Sequence, residues 1–173
     1  MTPAAAPSYG QEPAPRQVGI GKLLVGSGDE QLRAVLGSCI GIAFLWRKGG
    51  RCGLAHCLLP EGGRPTCGPD ARYVSQAVPS LLALMGARAA DYPDIEVVLA
   101  GGASMFGPSS SALQVGRQNI AAARKYLLHC GLQVSTCELG GYRGRTMRVD
   151  CASYRCTVNI ITHPDLEAVH GYH

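Results

Sequence analysis

The chain has 173 residues, 46% of them hydrophobic and 16% charged, a balance that suits one folded domain with a real core and excludes a disordered chain. The formal net charge of +4 comes without a basic run and with only 6% aromatic residues, so nothing supports a nucleic-acid surface. No apolar run approaches the ~20 residues of a membrane-spanning helix and no charged-then-apolar leader opens the chain, so the expected location is the cytoplasm, without membrane insertion.

In chain order, residues 1–16 are rich in Pro and Ala and read as a disordered tail, ahead of a single domain over 17–162 and a loose tail over 163–173. The run "VGIGKLLVGS" (18–27) predicts a first strand, followed by a turn at 28–30. A hairpin follows, with strands over 32–46 and 51–59 about the turn "RKGG". Apolar spacing at Val74, Ala77, Val78, Leu81, Leu82 and Met85 predicts a helix within 70–90. Asp70 is its expected N-cap, and Pro79 either kinks it or opens a second helix. The run 95–101 reads as a buried strand, 114–131 as an amphipathic helix ended by Gly131, and 132–139 as an alternating strand. A glycine loop over 140–145 and a closing hairpin at 146–151 and 154–161 complete the domain. Strands outnumber helices, which predicts an α/β or α+β layered sandwich: a mixed or antiparallel sheet with two main helices.

Eight cysteines stand at Cys39, Cys52, Cys57, Cys67, Cys130, Cys137, Cys151 and Cys156, with no C-x-x-C among them. Zinc spacing is therefore missing, no metal is expected, and most of these thiols read as small buried hydrophobes. Cys39 is the exception. With residues 47–50 as the turn, Trp46 lies opposite Arg51 and Gly41 opposite His56. Side chains alternate, so Cys39, Gly41 and His56 share one face, with Cys39 and His56 as diagonal neighbours. Ile40, Ile42, Phe44 and Trp46 form the other, core-building face, and Cys57 joins it. Small Gly41 and Ala43 are expected to leave open space beside the imidazole. A thiol beside an imidazole is a nucleophile with its base, and the Gly37-Ser38 step permits a turn whose N–H groups face an oxyanion. An activated Cys39 is expected to alkylate faster than the other seven. A buried cysteine and a chance histidine on one face remain an equal reading of the spacing alone.

The loop "AGGASMFG" lacks the G-K-[ST] ending of a phosphate loop, so no nucleotide or other cofactor is expected. Its glycines let it approach a site or a partner, with Met105 and Phe106 as an apolar contact. Asn119 reads as a structural residue holding a helix terminus or a loop carbonyl. His129, His163, His170 and His173 read as solvent-exposed.

These segments together carry a family resemblance. "LGSCIGIAF" followed by "GLAHCLLP" resembles the paired L-G-S-C-V and A-H-x-M-L-P segments of the chemoreceptor glutamine deamidases, the CheD family. "ARYVSQAV", "LAGGASMFG", "VGRQNIAAARKYL" and "ELGGYRGR" are similar to further motifs of that family, in the same order, so the likeness runs from about residue 18 to 160. It implies hydrolysis of chemoreceptor glutamine side chains to glutamate in chemotaxis adaptation, with an attributed methylesterase activity on glutamyl esters. It also implies a layered fold similar to that of deamidating toxins. By motif, Cys39 is the nucleophile and His56 the general base. Gly37, Ser38, Gly102, Ala103, Ser104, Gly141 and Arg145 are expected around the oxyanion and the substrate. The implied partners are chemoreceptor cytoplasmic domains and a CheC-type phosphatase.

One departure stands out. The family places a Thr five or six residues before the Cys as third member of the site, where this chain has Arg33 and Ala34. Either a backbone carbonyl orients His56, or the site is impaired and the chain is an adaptor that binds receptors or CheC with little turnover. Arg33 would favour a thiolate if it pointed inward.

Overall fold

A computed structural model describes Gly10 and residues 12–64, 67–108 and 111–162, the side chains of 111–113 excepted. Most of the expected N-terminal tail and all of the C-terminal one, with His163, His170 and His173, lie outside the described residues. Nine strands and two helices follow in the order β1 (Arg16–Gln17), β2 (Leu23–Gly26), β3 (Gln31–Leu36), β4 (Ile40–Trp46), β5 (Arg51–Cys57), α1 (Val74–Met85), β6 (Glu96–Gly101), α2 (Ser111–His129), β7 (Val134–Leu139), β8 (Arg145–Asp150) and β9 (Arg155–Ile160). A short 3-10 turn, Ala89–Asp94, precedes β6.

The strands make two mixed sheets, one in the order β1-β3-β8-β9 and one in the order β2-β5-β4-β6-β7. The architecture is α+β in three layers. One core packs the five-stranded sheet against the helices: Ile40, Ile42 and Phe44 meet Val78 and Leu81 of α1 and Leu127 of α2. A second core fills the space between the sheets, where Ala43, Leu45 and Leu54 meet Leu32, Leu36, Met147 and Val149. Strand β4 is thus covered on both faces, which is why "IGIAFLW" is continuously apolar and does not alternate with polar residues.

Three expectations are corrected. The first strand is interrupted: Lys22 N–H bonds the Gly19 carbonyl in a turn, so only 23–26 pairs with β5. The long strand 32–46 breaks at Gly37-Ser38-Cys39, and its halves belong to different sheets: β3 pairs with β8, and β4 with β5 and β6. Asp70 does not cap α1, whose N-cap is Tyr73; Asp70 accepts instead from the Arg72 N–H at 2.8 Å. Pro79 sits inside α1 without ending it, so the single-helix alternative holds.

Candidate active site

The hairpin has the register its four-residue turn predicts, with Trp46 opposite Arg51 and Gly41 opposite His56. Cys39 stands one residue before β4, in the corner where the chain leaves one sheet for the other. Cys39 is 6% exposed and belongs to the inter-sheet core; His56 is 3% exposed. Cys57 packs into the helix-side core, as alternation requires.

The expected vacancy beside the imidazole is filled. A methyl placed on Gly41 would meet Met147 Sδ at 2.6 Å and Leu36 Cδ1 at 2.8 Å. The second sheet supplies these side chains, and only a glycine leaves room for them above β4.

Segment 18–22 fixes His56. The backbone of His56 donates to the Lys22 carbonyl and accepts from the Gly21 N–H, at 2.9 and 2.8 Å. Its ring Nδ1 lies 2.9 Å from the Val18 carbonyl oxygen. A carbonyl only accepts, so Nδ1 carries the proton and Nε2 carries the lone pair. Nε2 is buried with no hydrogen-bond partner among the described residues, leaving a base with its proton-accepting side unspent. Val18 is held in turn by its N–H on the Arg33 carbonyl, 2.7 Å away. Position 33 therefore contributes through its main chain. The Arg33 side chain turns to Gln17 Oε1 at 3.1 Å, so its guanidinium is engaged away from the thiol.

Burial sets the resting charge state. It pushes the Cys39 thiol above its ordinary value, opposed in part by the residue's own N–H, and it pulls the His56 imidazole below its ordinary value against the pull of the Val18 carbonyl. Both groups rest neutral near pH 7.

The remaining expected site residues build the frame of the corner. Gly102 N–H donates to the Cys39 carbonyl and Ala103 N–H to the Gly37 carbonyl, both at 2.9 Å. Ser104 N–H donates to the Gly141 carbonyl at 2.8 Å, and its hydroxyl bonds the Gly107 carbonyl at 2.7 Å. These three N–H groups are occupied, whereas among the described residues no backbone carbonyl takes the N–H of Ser38 or Cys39. Gly101, at φ +105°, runs against the Cys39 carbonyl so closely that no side chain fits between them. Arg145 is buried and spans the glycine loop, donating to the Gly140 carbonyl at 2.8 Å. Met105 lies over Gly37, and Phe106 projects beside it, 81% exposed. A cleft of about 450 Å³, lined in part by Gly21, Lys22, Asp70 and Leu84, touches neither Cys39 nor His56.

Sequence reasoning missed Val18, because a main-chain carbonyl leaves no mark on residue identity. Asn119 holds two loop carbonyls, those of Ser38 and Leu58. Among the described residues, no cluster of three or more His, Cys, Asp or Glu could hold a metal, and no helix is long and apolar enough to cross a membrane.

A family model described as CheD chemotactic sensory transduction matches residues 58–160. The chain is 39% identical over 139 residues to a Bdellovibrio bacteriovorus protein named "Probable chemoreceptor glutamine deamidase CheD", which covers 79% of this chain and 89% of the relative. The chain belongs to the CheD family. CheD proteins of the same printed name from Methanococcus maripaludis and Clostridium botulinum are 38% and 34% identical, covering 76% and 84% of this chain and 85% and 92% of theirs. The matched CheD segment takes in the 99–107 loop, Asn119 and the 138–145 loop and begins after His56, so it includes neither Cys39 nor His56.

Proposed function

We propose that this chain hydrolyses the side-chain carboxamide of selected chemoreceptor glutamines, in chemotaxis adaptation, through a thioester on Cys39. The observation that carries this is the fixed tautomer of His56: Nδ1–H is spent on Val18 and Nε2 is left without a partner among the described residues, on a side chain that the register places on the inter-sheet face, whose core Cys39 joins. A backbone carbonyl thus supports the orienting role for which the family uses a Thr.

Nε2 takes the thiol proton, and the sulfur attacks the glutamine Cδ. The tetrahedral oxyanion is received by the Cys39 N–H with that of Ser38 beside it. Imidazolium returns the proton to the departing nitrogen, ammonia leaves, and a thioester remains. Water, deprotonated by His56, attacks the thioester, giving glutamate and regenerated thiol. A glutamyl methyl ester would follow the same steps with methanol leaving, and no cofactor enters. The burial of both groups supports a substrate that reaches the sulfur in an extended side chain, as glutamine does. The reaction belongs in the cytoplasm, where receptor signalling domains lie; a CheC-type phosphatase is the further partner that the family reading supplies.

The test is mass spectrometry of a receptor cytoplasmic fragment incubated with parent or Cys39→Ala protein. The parent is expected to convert glutamine amide to acid and release ammonia, and Cys39→Ala to leave the fragment unchanged. Equal conversion by both would overturn the nucleophile; no conversion by the parent, with tight binding of the fragment, would establish the adaptor instead.

A further inference from the structure

We infer that Asn119 is a positioning residue that sets the separation of Cys39 and His56, an inference that rests on the deamidase reading for its functional meaning. Asn119 lies in α2, wholly buried. Its Nδ2 donates to the Ser38 carbonyl at 3.1 Å and to the Leu58 carbonyl at 3.0 Å. Both partners are acceptors, so the amide can sit in one orientation only; flipped, three oxygens would face each other. Oδ1 is buried without a partner among the described residues, so the amino end alone holds the side chain.

The two carbonyls are what give this clamp its reach. Ser38 immediately precedes Cys39, and Leu58 follows His56 by two residues at the end of β5. These segments are neighbours in β4 and β5, yet beyond Ile40 and Cys57 the ladder between them ends. The two hydrogens of one rigid, planar amino group replace it, tying the corner that carries the thiol to the strand exit that carries the base. Helix α2 comes near enough because Gly116, one turn earlier, has no side chain: a methyl there would meet the Gly102 carbonyl oxygen at 2.6 Å. Gly102 itself bonds the Cys39 carbonyl, so α2 braces the corner twice.

A structural asparagine would cost stability when removed and leave the chemistry of the folded protein alone. A positioning one changes how His56 acts on Cys39. The experiment compares the parent, Asn119→Ala, His56→Ala and the double variant by the rate at which Cys39 takes up iodoacetamide, resolved by peptide mapping, well below each melting temperature. Each single change is expected to slow Cys39 about fivefold or more, and the double to be no slower than the slower single, because both remove one interaction. On a receptor fragment, kcat is expected to fall about tenfold with KM within a factor of about two. A folded Asn119→Ala with the parental labelling rate and the full His56→Ala effect overturns the inference. If Asn119→Ala does not fold, Asn119→Ser, whose hydroxyl can hold one carbonyl, carries the same comparison: an intermediate rate supports the clamp and a parental rate overturns it. Labelling needs no receptor. A parent that releases no ammonia, with the Asn119–His56 coupling intact, would therefore remove the deamidase reading and leave the positioning role standing.

Discussion

Replacing Gly101 by alanine tests the claim that the Cys39 corner is held by main-chain contact. At φ +105° an alanine is strained by about 1–3 kcal/mol. The added methyl also runs into the Cys39 carbonyl, a backbone atom that cannot rotate away, and moving the corner adds a comparable overpacking cost of about 1–3 kcal/mol. A loss near the middle of this range, about 4 kcal/mol, lowers Tm by roughly 8–16 °C in a chain of this size. Gly41→Ala is the control. Its methyl meets Met147 Sδ and Leu36 Cδ1, ends of flexible side chains, so about 1–2 kcal/mol and roughly 2–8 °C are expected. Thermal unfolding followed by circular dichroism measures both, with ammonia release as the second readout; Gly101→Ala should lose both stability and turnover. A Gly101→Ala protein melting within about 1 °C of the parent, or less damaged than Gly41→Ala, would refute the packing argument.

The buried pair also predicts a stability plateau in pH. Burial holds His56 below its ordinary 6.5, so below that pH the unfolded chain binds a proton that the folded chain refuses, and stability falls toward the depressed value. Burial holds Cys39 above its ordinary 9.0, so above that pH the unfolded chain releases a proton that the folded one keeps, and stability falls again. His56→Ala should flatten the acid side in melts across pH; an acid side as steep as the parent's would count against a buried neutral imidazole. For labelling, the sequence expectation that Cys39 leads all eight thiols is revised by its burial. Exposed Cys67 and Cys137 should alkylate first, with Cys39 ahead of buried Cys57, whose thiol burial pushes up strongly. Cys57 reacting as fast as Cys39 in peptide-mapped labelling would contradict this order.

What the sequence made legible was local. The turn at 47–50 counts out the pairing of its strands, so Gly41 opposite His56 follows from residue numbers alone. The helix over Val74–Met85 follows from apolar spacing, and the closing hairpin from alternation. The break at Gly37–Cys39 was hidden because the run from Ala34 to Trp46 carries no charged residue or proline to mark it, and the choice of a new sheet depends on β8, more than a hundred residues away. The filled space over Gly41 has the same origin: Met147 was visible as a strand residue, but its place above β4 is a tertiary fact. Asp70 had the right chemistry for a cap and found an earlier N–H, two residues on, before the helix began.

The imidazole of His56 belongs to the five-stranded sheet, while the Val18 carbonyl that fixes its tautomer is pinned through Arg33 to the four-stranded one. The two sheets are thus wired together through His56 itself. A relative slip of about 1 Å would carry a 2.9 Å contact past hydrogen-bonding range and free the ring to swap its proton between nitrogens. The stiffness of the seam made by Leu36 and Met147 is therefore a chemical parameter as much as a mechanical one, and a change there that never touches substrate would be felt as a loss of basicity at Nε2.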